Sequence, residues 1–307
     1  MNDLYLRGVC LKGIYLVGES MTSGAFGDVY WGKDFKNTRL VAIKVEKKIA
    51  HENGFLEKES ETLLELSTNI SAEPILRHYA YGEAPHFRYL IMELGGMNLR
   101  ELKKDTEYDQ FRIDTSLWIA KKMIEALKLL HDLGWVHRDV KPANFCIGRG
   151  WQGNRRLYIV DFGISRKFKQ LDGQPMKPRK RCSFRGTLRY SSIRTQQNEE
   201  AGPSDDLWSV WYVAVENMTG QLPWRRQVAP KDVLAIKQQF VADQYVQNRT
   251  RNPIFRRIQP PVSMLSLLQR LAPSNYFTVF NYSTITSEID DDLRKLNFGD
   301  ATKLEWE

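Results

Sequence analysis

The chain has 307 residues, 42% of them hydrophobic and 11% aromatic, enough apolar material for a substantial core and too much for a disordered polypeptide. Its 45 basic and 37 acidic side chains leave a net charge of +8, which does not by itself specify nucleic acid but would favour acidic partners if concentrated in one place. Cys10, Cys146 and Cys182 are scattered and form neither a disulfide framework nor a Cys/His zinc pattern. With no basic-then-apolar leader and no run near ~20 apolar residues, the expectation is an intracellular, soluble protein without a membrane segment.

In chain order, Ile14–Val17, Val29–Gly32 and Leu40–Glu46 read as strands punctuated by Gly24, Gly27 and Asn37. Residues 55–66 place Phe55, Leu56, Leu63, Leu64 and Leu66 among charges, which predicts an amphipathic helix, and residues 77–92 read as two further strands. After Gly95-Gly96 the pattern turns helical. Residues 115–133 repeat Leu117, Ala120, Ile124, Leu127 and Leu130 at helical spacing, with Asp114 as expected N-cap and Gly134 as stop. Leu157–Val160 reads as a buried strand, 163–204 as a long Gly-, Pro- and base-rich segment, and 205–219, 231–242 and 262–271 as helices. The fold class expected is α+β: a small strand-rich lobe with one helix, joined at about 93–97 to a larger helical lobe.

Four motifs carry chemistry. Ser23-Gly24-Ala25-Phe26-Gly27-Asp28-Val29 lies between strands, where missing Cβ atoms let backbone N–H groups approach phosphate oxygens; a tight hairpin is the ordinary alternative. Val41-Ala42-Ile43-Lys44 sets a lysine on an apolar strand, which calls for anionic partners: Glu59 on the following helix and a nucleotide's phosphates. A solvated strand face is the alternative there.

His137-Arg138-Asp139-Val140-Lys141-Pro142-Ala143-Asn144 follows the long helix. Asp139 can accept a hydroxyl proton, Lys141 can neutralise a transferring phosphoryl group, and Asn144 can ligate Mg²⁺. Asp161-Phe162-Gly163 follows a strand, with Asp161 as a second Mg²⁺ ligand unless the triplet is only a turn. Together the four imply a two-metal phosphoryl-transfer site acting through positioning and charge neutralisation.

On these residues the chain resembles the eukaryotic protein kinase family over about residues 12–300. That resemblance implies an N-terminal extension at 1–11, an N-lobe at 12–93, a C-lobe at 97–300 and a tail at 301–307. Ser191-Ser192-Ile193, Asp205-Asp206-Leu207-Trp208 and Gly220-Gln221-Leu222-Pro223-Trp224 are similar to the casein kinase 1 group. Phe184 to Tyr190, Gln221 to Arg225 and the Trp306 region are most similar to its tau-tubulin kinase branch.

The resemblance implies an ATP site of Gly24, Gly27, Val29, Ala42, Lys44, Met92, Glu93, Gly95 and Ile147. In it Met92 would be the gatekeeper, the backbone of Glu93 and Gly95 would bond the adenine edge, and Ala42 and Ile147 would sandwich the ring. Lys141 and Thr187 match serine/threonine rather than tyrosine kinases, and Asp206 would buttress the catalytic loop. The implied catalytic set is Asp139, Lys141, Asn144, Lys44, Glu59 and Thr187, with Asn144 and Asp161 on Mg²⁺. Thr22 departs from the family's first loop glycine, Arg194 stands where the group has asparagine, and residues 245–262 match it poorly.

Basic residues from Arg166 to Arg189, offset after the Asp161 motif only by Asp172, suggest acidic or already phosphorylated protein substrates; a solvated mobile loop is as good a reading for Lys177–Arg181. A cytoskeletal substrate follows from branch similarity alone. His51, Glu52 and His131 read as surface or cap residues, and Cys146 as a buried small hydrophobe. The expectation is a cytoplasmic monomer, with the nucleus as the alternative compartment, acting on proteins and not on nucleic acid or membranes. Against catalysis stands a non-catalytic, ATP-binding pseudokinase scaffold, although such proteins lose groups of the kind present at Lys44, Asp139 and Asp161.

Overall fold

In a computed structural model, residues 6–24, 27–48, 54–69, 73–150, 153–170, 172–242, 255 and 258–307 are described. In chain order they form β1 (Cys10–Leu11), β2 (Tyr15–Gly24), β3 (Gly27–Asp34), β4 (Arg39–Lys47), α1 (Phe55–Asn69), β5 (His78–Glu83) and β6 (Phe87–Glu93). Then follow α2 (Leu99–Lys104), α3 (Ile113–Asp132), β7 (Trp135–Val136), β8 (Phe145–Ile147), β9 (Leu157–Ile159) and β10 (Arg166–Lys167). The last are α4 (Ile193–Gln196), α5 (Pro203–Thr219), α6 (Pro230–Ala242), α7 (Val262–Leu271) and α8 (Tyr282–Lys295). The chain divides into two compact units, Met1–Gly96 with Ile147–Gly163, and Met97–Cys146 with Ile164–Glu307.

The first unit is a six-stranded antiparallel sheet in the order β1-β2-β3-β4-β6-β5, with α1 against β5 and β6. Val41, Ile43 and Val45 of β4 pack with Tyr89 and Ile91 of β6 in one buried cluster, while Ala42 and Lys44 between them are buried on the opposite face, so the strand is covered on both sides. On α1 the apolar stripe of Leu56, Leu63 and Leu66 also contains Glu59, so helical spacing buries a carboxylate with the leucines. β2 runs past the expected Val17 through the polar stretch Ser20–Ser23, with register shifts between Val17 and Ser20 and between Ser20 and Thr22. Gly27 has φ +119°, and a Cβ there would lie 2.3 Å from Val45 O, so only glycine can start β3 against β4.

The second unit is mainly helical. Leu117, Ala120, Ile124, Leu127 and Leu130 of α3 are all buried, and α3 packs on α5 and α8. The expected N-cap at Asp114 is corrected: Arg112 holds that position, and Asp114 sits inside the first turn. There its Oδ1 accepts from Thr115 N at 2.7 Å and from Arg112 Nε at 3.0 Å, a carboxylate favoured at the positive helix end without capping it. Gly134 does end the helix, at φ +80° with its N–H on His131 O at 3.0 Å.

His131, expected at the surface or in a cap, is 3% exposed and bonded on both ring nitrogens. α8 has no counterpart in the sequence reading: its apolar stripe is only Ile285, Ile289 and Leu293 in an otherwise polar run. Apart from β10, α4 and the first residues of α5, the described part of 163–204 is irregular. Ala25, Phe26, His51, Glu52 and residues 243–254 and 256–257 lie outside the described residues. No described helix is long and apolar enough to cross a membrane.

Candidate active site

In each unit candidate polar side chains are buried among apolar ones. In the first unit Lys44 stands on β4 between the buried Ile43 and Val45. Its Nζ donates to Glu59 Oε2 at 2.7 Å and to Asp161 Oδ1 at 2.9 Å. The three side chains are 9%, 4% and 24% exposed, respectively. Burial would lower the lysine pKa, but the two carboxylates outweigh it and hold the ammonium above its usual range. Glu59 is pushed up to about 7, first by burial, with Lys44 pulling the other way. Asp161 adopts φ +69°, a left-handed conformation rare for a residue with a side chain, and Gly163 leaves its ideal Cβ position 3.4 Å from Glu59 Oε2.

Around this trio the sheet brings the other candidate nucleotide residues of the unit onto adjacent strands. Val29 faces Lys44 across β3 and β4, and Ala42 faces Met92 across β4 and β6. Gly24 at the end of β2 pairs with Gly27 at the start of β3. Glu93 ends β6 with its N–H on Arg77 O at 2.9 Å; Gly95 follows, and Gly96 N donates to Ile147 O at 2.8 Å.

In the second unit the catalytic candidates gather on Asp139, which is 5% exposed. Its Oδ1 accepts from Thr187 Oγ1 at 2.7 Å and its Oδ2 from Lys141 Nζ at 2.5 Å. Asn144 Nδ2 donates to Asp139 O at 2.9 Å, and to Oδ2 at 3.4 Å, which leaves the carboxamide oxygen to offer a cation. Gly186, at φ +102°, lets Thr187 approach: a Cβ there would be 2.5 Å from Arg138 O.

The loop carrying Asp139 is held from below by Asp206 of α5, which accepts from His137 N at 2.7 Å, Arg138 N at 2.9 Å and His131 Nε2 at 3.0 Å. Burial would raise the Asp206 pKa, but His131 and the loop bonds keep it below the usual carboxylate range. His131 Nδ1 in turn meets Tyr282 Oη at 2.5 Å, so α3, α5 and the unanticipated α8 all brace the catalytic loop. Two bonded side chains, the buried His131 and the half-buried Tyr282, are therefore parts of this site that sequence reasoning missed. Lone polar residues on helical faces carry no spacing signal that could have found them.

A cavity of about 800 Å³ opens beside Lys141 and Thr187. Arg100, Lys103, Lys104, Lys141, Arg189 and Arg225 line it, with Asp109 and Glu216 as the acidic members. Glu216 is 2% exposed and accepts from Lys103 Nζ at 3.0 Å, Tyr190 Oη at 2.7 Å and Arg189 Nη1 at 3.4 Å. The basic segment is thus offset by Glu216 and Glu200 as well as Asp172, which sequence proximity alone did not reveal.

The wall of this cavity is pinned from behind. Trp224 Nε1 donates to Arg189 O at 2.8 Å, and Lys237, 0% exposed, donates to Leu188 O at 3.0 Å and Ser191 O at 2.6 Å. Lys237 Nζ also lies 4.8 Å from the Tyr212 ring centroid and 5.0 Å from that of Trp224. Burial, with carbonyls rather than a carboxylate as partners, pulls its pKa down to about 6. A folded-state pKa below the ordinary lysine value means the unfolded chain binds more protons at intermediate pH, so this group makes stability rise from about pH 6 upward. Lys237→Met removes one donor from each carbonyl; Leu188 O keeps Ser191 Oγ at 3.0 Å and Gln196 Nε2 at 3.3 Å, and Ser191 O keeps Gln196 Nε2 at 3.4 Å. The substitution costs about 0.5–1.5 kcal/mol per lost bond and removes that rise. Melting temperatures of both proteins across the neutral range test this; a gap between them that does not widen with pH contradicts it.

Whether the residues suit a divalent metal can be judged from their chemistry. Among the described residues there is no cluster of three or more His, Cys, Asp or Glu side chains able to hold a metal by itself. A carboxylate and a carboxamide oxygen instead suit Mg²⁺, which keeps several waters and completes its shell with substrate phosphates. The donor set fits that ion.

A sequence model described as a protein kinase domain matches residues 15–279. A probable serine/threonine-protein kinase of Dictyostelium discoideum is 32% identical over 306 residues, covering 100% of this chain and 59% of that protein. A putative casein kinase I of Caenorhabditis elegans is 36% identical over 205 residues, 66% of this chain and 59% of that protein. The serine/threonine-protein kinase spe-6 of the same nematode is 30% identical over 263 residues, 86% of this chain and 67% of that protein. The chain therefore spans about three fifths of the length of the first two relatives.

Proposed function

Because this chain belongs to the protein kinase domain family, we propose that it is a serine/threonine protein kinase that transfers the γ-phosphoryl group of ATP to a protein hydroxyl. The observation that carries the reading is the Asp139 carboxylate, buried and held on one oxygen by Lys141 and on the other by Thr187. Asp139 orients the acceptor hydroxyl and takes its proton. Lys141, already at that carboxylate, offsets charge on the transferring group, and Thr187 keeps the carboxylate aimed. Lys44, fixed by Glu59 and Asp161, supplies a positive charge to the nucleotide phosphates. The adenine is held through Ala42, Met92, Glu93, Gly95 and Ile147, with Gly24, Gly27 and Val29 at the phosphates.

Asn144 and Asp161 would hold Mg²⁺, which when bound neutralises the phosphate oxygens. Transfer requires both sets of residues to act on one nucleotide. Kinase assays with Ser-, Thr- and Tyr-containing peptides test the acceptor class; label only on tyrosine would refute it.

The finer reading is a casein kinase 1-type enzyme of the tau-tubulin branch, a cytoplasmic monomer that favours acidic or phospho-primed protein substrates, cytoskeletal ones included. Support for the acidic preference is the cavity beside Thr187, where six cations outnumber two carboxylates. Arg189, 40% exposed on its wall, can give a planar, bidentate pair to a phosphate or carboxylate. Arg189→Ala is expected to lower the ratio of kcat/KM for acidic over neutral peptides by roughly 5- to 10-fold, the value of one charge-assisted pair. An unchanged ratio removes Arg189 from substrate recognition.

A further inference from the structure

The segment leading to Thr187 carries Arg166, Lys167, Lys169, Lys177, Arg179, Lys180, Arg181 and Arg185. It has almost no regular structure of its own before α4. Like charges in an irregular segment repel, and an added anion can order it by collecting arginines. Here the anion is already part of the chain. Glu200 lies beyond α4 and is 5% exposed.

Arg179 grips the Glu200 carboxylate with both arms, Nε on Oε2 and Nη2 on Oε1, the latter at 2.9 Å. Arg166 Nε stands 3.7 Å from Oε1, and Cys182 Sγ reaches Oε2 at 3.4 Å. Arg138, next to Asp139 in the chain, is lowered in pKa chiefly by burial; the Glu200 charge opposes this, while Arg179, Arg166 and Arg185 add to it. Burial would raise the Glu200 pKa, but Arg179 holds it below the usual range, so the carboxylate is ionised at neutral pH. Backbone ties run in parallel: Cys182 N to Asn198 O at 3.1 Å and Phe184 N to Asn198 Oδ1 at 3.2 Å. From Phe184 the chain passes through Gly186 to Thr187, which bonds Asp139.

We propose that Glu200 is a positioning residue for the phosphotransfer put forward above: its carboxylate does intramolecularly what a phosphate added to this segment would do. It clamps Arg166 and Arg179 so that Thr187 is seated on Asp139 without any modification of the segment. Glu200 touches neither nucleotide nor acceptor and acts only through the arginines.

The test is anion rescue. Rates of wild type, Glu200→Gln and Glu200→Gln/Arg179→Gln are measured over a sodium sulfate series at fixed ionic strength, with folding checked by circular dichroism. Wild type should be fully active after phosphatase treatment and gain nothing from sulfate. Glu200→Gln should lose roughly 10-fold or more in rate, with KM for ATP little changed. Sulfate should return most of that loss by occupying the vacated arginines, and the double variant should not respond. A folded Glu200→Gln protein with the wild-type rate overturns the inference, as does a loss that sulfate leaves untouched, the mark of a merely structural role.

If Glu200→Gln does not fold, Arg179→Gln is read in its place. It should lose rate without sulfate rescue, and a full rate overturns the proposal. A wild type that transfers no phosphoryl group refutes the kinase reading itself, whereas one that works only after the segment is phosphorylated refutes this inference alone.

Discussion

Asp139→Asn is expected to cut the rate of phosphoryl transfer by roughly 10²–10⁴-fold, the contribution of a positioned general base. The substitution is nearly isosteric. A carboxamide oxygen can still accept from Thr187 Oγ1, which bonds Asp139 at 2.7 Å. What it loses is the charge that attracts Lys141, 2.5 Å away, and the second acceptor for the hydroxyl proton. Lys141 is 21% exposed at its side chain and can be solvated instead, so the cost to stability should stay near ~1 kcal/mol. Loss of rate with a nearly unchanged melting temperature is therefore the expected pair of results. A variant within a few-fold of wild type would mean that another group takes the proton.

Lys44→Met should remove transfer and also weaken the fold, for a reason visible in the first unit. Deleting the ammonium leaves the Glu59 and Asp161 carboxylates, 4% and 24% exposed, without their shared counter-charge. Breaking a buried ion pair by removing one partner costs about 3–5 kcal/mol, because a charge is left desolvated.

Glu59 relieves part of this by taking up a proton. Its carboxyl already stands at about 7, and loss of Lys44, which pulls it down, moves it higher. A folded-state pKa above the unfolded value stabilises at low pH and loses that stabilisation as pH rises through it. The deficit of Lys44→Met relative to wild type should therefore shrink in mild acid and grow at alkaline pH. Lys44→Met/Glu59→Gln should recover much of the stability and none of the activity. Chemical denaturation at several pH values separates these outcomes; a deficit independent of pH contradicts the assignment of Glu59 as the buried charge.

How much of this was legible beforehand depended on whether the signal lay within one stretch of chain. Helices α6 and α7 lie within a residue of the expected bounds, because their apolar positions recur at helical spacing and the sequence punctuates their ends. The Asp114 cap was misplaced by two residues, since a carboxylate inside the first turn is favoured for much the same electrostatic reason as one at the cap. α8 passed unseen although Ile285, Ile289 and Leu293 recur at i, i+4 and i+8, because so few apolar residues stand among Ser, Thr, Asp and Glu; α3 and α7 supply the surface that stripe covers.

The Lys44–Glu59 pair was foreseeable from an isolated cation on a buried strand next to a helix with an acidic residue on its apolar face. Its third member, Asp161, was read only as a metal ligand, since a separation of 117 residues gives no local cue. The same limit hid His131 under Asp206, Lys237 under the Leu188–Ser191 carbonyls and Glu200 among the arginines. Each is a buried polar residue whose partner lies on another element, and only the folded chain pairs them.

The most direct test is a transfer assay with γ-labelled ATP, Mg²⁺ and an acidic protein acceptor, comparing the purified wild-type chain with Asp139→Asn and with a chelator control. Label should appear on serine or threonine of the acceptor, vanish with the chelator and fall to near background in the variant. A folded wild-type protein that moves no more label than Asp139→Asn, with any acceptor offered, would contradict the claim that these residues perform phosphoryl transfer.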